Sequence, residues 1–279
     1  MDDVLARNNV HQSGQPTGQP MLFAHGYGCD QAMWRFVTPM FEPDYRVVVF
    51  DHVGFGGSDL SAWNAQRYSN LSAYAEDLLE LIGALDLHDV IYVGHSVAAM
   101  IGVLAANREP ARFAHLVLVG PSARYLDDPQ HDYSGGFSRP DIDDLLHTLE
   151  GNPLGWAASM APVMMGNPQR PELSAELTAS FCRTDPAVAA TFARATFLSD
   201  NRADLSRVQT PCLVLQCSDD VIAPDSVGEF VHAHLPVSEF VHLRATGHCP
   251  NLSAPEETAP TIKAYLHRHS RPDADVGAG

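Results

Sequence analysis

The chain has 279 residues, and 45% of them are apolar, so it can bury a sizeable core as one large α/β domain or as two small ones. Its 17 lysines and arginines against 34 aspartates and glutamates give a net charge of −17, which disfavours nucleic-acid and membrane partners because both carry negative charge. The N-terminus has no signal-peptide pattern and no apolar run reaches bilayer length, so we expect a soluble, cytoplasmic protein.

The cysteine and histidine patterns do not indicate a metal site. The five cysteines are scattered and odd in number, and neither Cys-x-x-Cys nor His-Glu-x-x-His occurs. We therefore expect reduced, mostly buried thiols, no metal and no cofactor.

The first half of the chain alternates short apolar runs with helical patterns. The first run leads into the glycine-rich turn His25-Gly26-Tyr27-Gly28, and Ser69-Asn70 caps a helix whose apolar residues recur at steps of three and four. Because the runs are almost wholly apolar, they predict a mostly parallel, doubly wound sheet covered on both faces. The predicted strands in this half are residues 21–25, 46–51, 89–93 and 116–119.

The strand pattern disappears between residues 121 and 200, where glycines and prolines separate short helical stretches. This pattern predicts a helical cap, residues 121–200, inserted into a core formed by residues 1–120 and 201–270, with residues 271–279 as a flexible tail. Strand patterns resume at 212–217 and 240–243, and a helix at 255–267 closes the fold.

The cap contains more apolar side chains than four short helices need to cover one another. This surplus predicts an apolar pocket between the cap and the sheet. Phe137, Trp156, Met160 and Phe197 are candidates for its lining, although packing within the cap is an alternative for each of them.

The segment Gly94-His95-Ser96-Val97-Ala98 joins a predicted strand to a predicted helix. A serine with small residues two positions on either side, in this context, is typical of a nucleophile elbow, where the sharp turn leaves no room for larger side chains. The elbow predicts Ser96 as a nucleophile, and a plain strand-to-helix turn is the alternative.

A serine hydroxyl needs a histidine to accept its proton and a carboxylate to orient that histidine, here in the chain order Ser, Asp, His. Asp219 and Asp220 both follow the predicted strand at 212–217, and Asp219 stays the alternative. We favour Asp220 because Asp220-x-x-x-Pro224 resembles the arrangement common after this strand in α/β-hydrolases. His248 follows the last strand in Thr246-Gly-His-Cys-Pro250, and we choose it over the other histidines, including His95.

The same reasoning predicts an oxyanion hole, because attack on a carbonyl places negative charge on its oxygen. The backbone N–H of Val97 is one expected donor, and that of Tyr27 in the glycine-rich turn is the other. A turn without a catalytic role is the alternative for residues 25–28.

The chain resembles the RsbQ-like α/β-hydrolases, a stress-signalling branch related to the plant strigolactone and karrikin receptors. Several of the shared motifs lie in the cap, where unrelated α/β-hydrolases would differ. The resemblance covers residues 4–267 and rests on Gly28-Cys-Asp-Gln31, Asp51-x-Val-Gly54, Ser58-Asp-Leu60, Val93-Gly-His-Ser-Val97, Val119-Gly-Pro-Ser122, Tyr133-Ser-Gly-Gly-Phe137, Phe181-Cys-Arg-Thr-Asp-Pro186, Leu215-Gln-Cys217 and Gly247-His-Cys-Pro250.

The resemblance implies an α/β-hydrolase fold with a cap of four helices above a small hydrophobic cavity. It implies that Ser96, Asp220 and His248 form the triad and that Trp156 and Phe197 line the cavity. RsbQ-like proteins act with a PAS-domain phosphatase, and the plant relatives hydrolyse a butenolide while signalling. Two residues depart from the usual pattern: Ala98 replaces a serine or glycine, and Tyr27 replaces a phenylalanine, which places a hydroxyl near the cavity.

The leading hypothesis is a cofactor-free serine hydrolase that cleaves a small, lipophilic ester or lactone. Tyr27 and Val221, the latter next to Asp220, complete the predicted substrate-binding residues. The main alternative is a ligand sensor with slow hydrolysis that signals to a PAS-domain phosphatase or another protein. A haloperoxidase-like perhydrolase would use the same triad, whereas the dehalogenases and epoxide hydrolases of this fold need an aspartate at the elbow.

Overall fold

The structure, a computed structural model, describes residues 3–269, so the predicted tail at 271–279 lies outside the described residues. Seven strands form one sheet: β1 (His11–Gly14), β2 (Gln19–Ala24), β3 (Tyr45–Val49), β4 (Val90–His95), β5 (Phe113–Val119), β6 (Cys212–Ser218) and β7 (Ser238–Thr246). Their order is β1-β3-β2-β4-β5-β6-β7, with β1 antiparallel to β3 and the other pairs parallel. The predicted mostly parallel, doubly wound sheet is confirmed.

Strands β4 and β6, which carry two parts of the site, lie inside this sheet. Every residue of β4 is buried, and only the last residue of β6 is partly exposed, which explains their nearly continuous apolar sequences. The sequence did not predict β1, because all four of its residues are exposed and show no apolar alternation.

Eleven α-helices occur in residues 3–269, and none of them is both long and apolar enough to cross a membrane. The side chain of Asn70 accepts a hydrogen bond from the Ser72 N–H and caps the second helix, as predicted. The helices are α1 (Val4–Arg7), α2 (Leu71–Ala84), α3 (Val97–Arg108), α4 (Arg139–Gly151), α5 (Pro153–Met165), α6 (Pro171–Arg183), α7 (Pro186–Phe197), α8 (Arg202–Leu205), α9 (Asp225–His234), α10 (Pro250–Ser253) and α11 (Pro255–His269).

Helices α4 to α7 follow one another between β5 and β6, and we call them the cap. Helix α4 packs against α5 and α7, and α5 packs against α6. Three of these helices begin with a proline: Pro153, Pro171 and Pro186. The first N–H groups of a helix have no acceptor within the helix, so a proline there costs no hydrogen bond. The prolines therefore start cap helices as well as separating them.

Hydrogen bonds join the cap to the loops above the sheet. The Ser180 hydroxyl donates to the Gly28 carbonyl (2.8 Å), and the Tyr27 hydroxyl donates to the Ala189 carbonyl (3.1 Å). The hydroxyl that distinguishes Tyr27 from phenylalanine thus bonds the cap backbone, which fixes the glycine-rich turn against α7.

Candidate active site

Ser96 occupies a strained turn between β4 and α3. Its backbone has φ 57° and ψ −123°, a conformation that non-glycine residues rarely adopt and that places its side chain at the apex of the turn. A Cβ atom on Gly94 would lie 2.7 Å from the Ala98 carbonyl oxygen, so glycine is needed there. The local geometry is that of a nucleophile elbow.

The structure brings together the three residues that the chain order selected. The Ser96 Oγ lies 2.7 Å from His248 Nε2, and His248 Nδ1 lies 2.7 Å from Asp220 Oδ2. The side chain of Asp220 is fully buried and that of His248 is 6% exposed. The hydroxyl, the imidazole and the carboxylate therefore form one continuous hydrogen-bonded chain, shielded from solvent.

The second oxygen of Asp220 fixes the carboxylate plane. Asp220 Oδ1 accepts hydrogen bonds from the backbone N–H groups of Ile222 (2.9 Å) and Ala223 (3.1 Å), which leaves Oδ2 to accept from the imidazole. Asp219 is exposed and its backbone has φ 51°. Of the two neighbouring carboxylates, Asp220 is thus the one that contacts His248.

Two glycines help to position His248. A Cβ atom on Gly120, directly after β5, would lie 3.3 Å from His248 Cε1, which is closer than carbon atoms usually pack. Gly247 has φ +77°, and a Cβ atom there would clash with the backbone carbonyl of Met165. This turn lets the His248 N–H donate to the Met164 carbonyl (2.8 Å), so the last turn of α5 in the cap holds the histidine backbone.

His95 supports the histidine from the other side, a contact that the sequence analysis did not predict. Its Nε2 lies 2.7 Å from the His248 carbonyl oxygen, so this nitrogen carries the proton and donates it. Burial, followed by the neighbouring His248, lowers the pKa of His95 to about 3, which keeps the ring neutral. We assign His95 a positioning role, because it contacts the backbone of His248.

The two predicted oxyanion-hole donors lie beside Ser96. A Cβ atom on Gly26 would lie 3.3 Å from the Ser96 Cβ, so the turn that contains Tyr27 packs directly against the serine. Val97 begins α3, where the first N–H groups have no partner within the helix. Within residues 3–269, the backbone N–H groups of Tyr27 and Val97 have no hydrogen-bond acceptor.

A narrow cavity lies next to Ser96, between the elbow and the cap. Its volume is about 20 Å³, enough for about one water molecule, so the cap is closed. A wider groove of about 750 Å³ lies elsewhere on the surface, and Ser96, Asp220 and His248 are not among its lining residues. The cavity is lined by Tyr27, Cys29, His95, Ser96, Tyr125, Met164, Leu177, Phe181, Thr196, Phe197, Ile222, His248 and Cys249.

Comparison with known proteins identifies the family of this chain. A model of the alpha/beta hydrolase family matches residues 21–261, from β2 into α11. The chain belongs to the alpha/beta hydrolase family. It is 37% identical to the strigolactone esterase D14 of Arabidopsis thaliana, covering 95% of this chain and 98% of that protein.

Two further relatives extend the comparison of this alpha/beta hydrolase. The karrikin insensitive 2 receptor CA of Petunia hybrida is 35% identical, with 89% of this chain and 92% of that protein covered. The structure of a hydrolase from Oleispira antarctica superposes with a TM-score of 0.92 at 40% identity, covering 95% of this chain and 97% of that one. The predicted kinship with the plant receptor hydrolases is confirmed, whereas the RsbQ-like branch, stress signalling and a cytoplasmic location stay predictions.

Two of the predicted substrate-binding residues line the cavity of this alpha/beta hydrolase, and a third lies just behind it. Tyr27 and Phe197 contribute to the lining, with their ring centroids 6.2 Å apart. The ring of Trp156 lies 5.8 Å from that of Tyr27 and lines a separate small cavity, which Tyr27 and Phe181 also line. Tyr27 and Phe181 thus belong to both cavities.

The structure places three other predicted substrate-binding residues outside the lining of this cavity. Val221 is 50% exposed and does not line the cavity, because the turn closed by the Asp220 carboxylate brings Ile222 into the lining instead. Phe137 pairs with Leu126 outside the cavity, where its ring lies 6.5 Å from that of Phe197. Met160 is half-buried on α5, and Met164, one helical turn later, lines the cavity.

The sequence analysis also missed two polar residues of the lining, Tyr125 and Thr196. Both are 1% exposed, and within the described part of the chain neither hydroxyl has a hydrogen-bond partner. An isolated tyrosine after a strand and a threonine near a helix end carry no motif, so only the folded structure reveals them.

Proposed function

We propose that this protein is a serine hydrolase that cleaves small esters or lactones without a cofactor. The observation that carries the proposal is the hydrogen-bonded chain from Ser96 Oγ through His248 to the buried Asp220 carboxylate. The 37% identity to a protein named as an esterase supports the same class of reaction.

In the proposed first step, the Ser96 oxygen bonds to the substrate carbonyl carbon while its proton moves to His248 Nε2. The carbonyl oxygen becomes negatively charged, and the N–H groups of Tyr27 and Val97 stabilise it. The intermediate then breaks its bond to the alkoxy oxygen, which takes the proton from His248. In a lactone this alcohol remains attached to the acyl group.

In the second step a water molecule attacks the acyl-serine, again with His248 as the base, and the acid and the free Ser96 hydroxyl are released. Asp220 does not accept a proton. It accepts a hydrogen bond from Nδ1 and so keeps Nε2 free to receive the serine proton.

The substrate must be small and largely apolar, since aromatic and aliphatic side chains form most of the lining. The closed cavity holds about one water molecule, so a substrate enters only when the cap and the loops beneath it separate. The bond between the His248 N–H and the Met164 carbonyl couples such a movement to the base.

The test is the hydrolysis of p-nitrophenyl acetate and butyrate by the wild type and by Ser96→Ala. We expect turnover by the wild type and only background hydrolysis by the variant. Ser159→Ala is the matched control, because Ser159 is an exposed cap serine that bonds the Trp156 carbonyl, and it is expected to retain wild-type turnover. Equal rates for the wild type and Ser96→Ala would contradict the proposal.

A receptor is also among the relatives, at 35% identity, so the sensor hypothesis is the second candidate. The same hydrolysis assay distinguishes the hydrolase from the sensor. Repeated turnover indicates a hydrolase, whereas release of one equivalent of nitrophenol per protein followed by arrest indicates a sensor. A PAS-domain phosphatase is the partner to test if turnover arrests.

A further inference from the structure

The catalytic cavity contains two hydroxyl groups that the proposed reaction does not use. Thr196, in the last turn of α7, and Tyr125, in the segment after β5, both line the cavity and are each 1% exposed. Within residues 3–269 the Thr196 Oγ1 and the Tyr125 hydroxyl lack hydrogen-bond partners. Buried polar groups are rarely left unpaired in proteins, so each of these hydroxyls calls for an explanation.

Of the two buried threonines in the α-helices of residues 3–269, Thr196 and Thr258, only Thr196 has a hydroxyl without a hydrogen-bond partner. A threonine inside a helix commonly satisfies its hydroxyl by donating to the carbonyl four residues earlier. Thr178, Thr258 and Thr261 do so, at 2.8, 2.9 and 2.7 Å. Thr196 makes no such bond, so its hydroxyl is available to a molecule in the cavity.

The tyrosine hydroxyl lies on the nucleophile side of the cavity. Burial raises the pKa of Tyr125, so the phenol stays protonated. Hydrogen-bond interaction with the Ser96 hydroxyl lowers this pKa, so the phenol lies near the serine. Ser96 donates its own proton to His248, and the Tyr125 hydroxyl has no partner within hydrogen-bond distance in the described residues, so the phenol proton is available to a molecule in the cavity. Thr196 and Tyr125 thus add two donors to an otherwise largely apolar lining.

We infer that Thr196 and Tyr125 form a polar subsite that binds a second oxygen atom of the substrate, separate from the ester group that is cleaved. The inference rests on the proposed function and narrows it: the substrate class is a small ester or lactone whose acyl part carries an ether, carbonyl or hydroxyl oxygen. A plain hydrocarbon acyl group would leave both hydroxyls unpaired when it excludes water, so the cavity discriminates against it.

The test compares substrates that differ only by an oxygen. Two pairs of p-nitrophenyl esters are used: the methoxyacetate with the butyrate, and the 3-methoxypropanoate with the pentanoate. In each pair the first ester has an oxygen in place of one methylene of the second. For each pair the ratio of kcat/KM is measured for the wild type, Thr196→Val and Tyr125→Phe. The intrinsic reactivity of the esters is the same for every variant, so it cancels when the ratios are compared.

We expect the preference for the oxygenated member of at least one pair to fall about tenfold in Thr196→Val or Tyr125→Phe, the change expected for one lost hydrogen bond. Thr178→Val is the matched control, since the Thr178 hydroxyl is already bonded within α6. The kcat/KM ratios of this variant should equal those of the wild type. If both pairs keep ratios within about twofold of the wild type in both variants, the subsite does not exist.

A binding measurement keeps this inference separate from the proposed reaction. In the Ser96→Ala background, dissociation constants for methyl methoxyacetate and methyl butyrate are measured with and without Thr196→Val. A preference for the oxygenated ester that Thr196→Val removes supports the subsite even if the wild type hydrolyses no ester. Equal preference with and without Thr196→Val, together with unchanged kinetic ratios, overturns it.

Discussion

Replacing Asp220 with asparagine tests the hydrogen-bonded triad in detail. The amide oxygen must occupy the Oδ1 position, because it accepts from the N–H groups of Ile222 and Ala223, so the amide nitrogen takes the Oδ2 position and faces His248. An NH₂ group donates, which forces His248 Nδ1 to accept and places the ring proton on Nε2. That tautomer cannot take the proton from Ser96.

The expected loss in kcat is about 10⁴-fold, the effect of a wrong histidine tautomer, and it corresponds to about 5.4 kcal/mol at about 1.36 kcal/mol per tenfold. Hydrolysis of p-nitrophenyl butyrate measures it, and the melting temperature shows that the variant folds. Asp219→Asn is the control, because that exposed carboxylate does not contact His248 and its φ of 51° suits asparagine. If Asp220→Asn keeps kcat within tenfold of the wild type, the assignment of Asp220 is wrong.

Three further predictions concern the surroundings of the site. Tyr27→Phe removes the hydrogen bond to the Ala189 carbonyl, which costs about 1 kcal/mol of folding stability. Thermal unfolding should therefore show a melting temperature lower by about 2–4 °C, and an unchanged value would show that this bond does not stabilise the fold. His95→Phe removes the donor to the His248 carbonyl and so displaces the base. Steady-state kinetics should show kcat reduced at least about tenfold, and a variant with the kcat of the wild type would exclude the positioning role. Iodoacetamide should label the native protein at Cys182, the exposed cysteine. The other four thiols are buried, and burial raises their pKa, so they should react more slowly. Equal labelling of a buried cysteine in peptide maps would contradict the buried core.

The sequence predicted what depends on residue type and order. Apolar runs give β4 and β6 because a strand covered on both faces is apolar throughout. Ser96, Asp220 and His248 lie far apart along the chain, but each follows a strand of one sheet, so their convergence at its carboxyl edge could be expected.

What the sequence did not predict depends on contacts between distant segments. The bond from His95 to the His248 carbonyl spans 153 positions, and no local pattern marks it. The choice of Ile222 rather than Val221 for the lining follows from a side-chain-to-backbone turn at Asp220, and a shift of one residue reverses which side chain is buried. The β1 strand carries only exposed residues, so no hydrophobic pattern indicates it.

The most direct test of the account is to locate the nucleophile by mass spectrometry after reaction with a fluorophosphonate ester. The account predicts one adduct per chain, on the peptide that contains Ser96, absent from Ser96→Ala and formed much more slowly by Asp220→Asn. An adduct on another residue, or equal labelling of the wild type and Ser96→Ala, would contradict the claim that Ser96 is the activated nucleophile of this alpha/beta hydrolase.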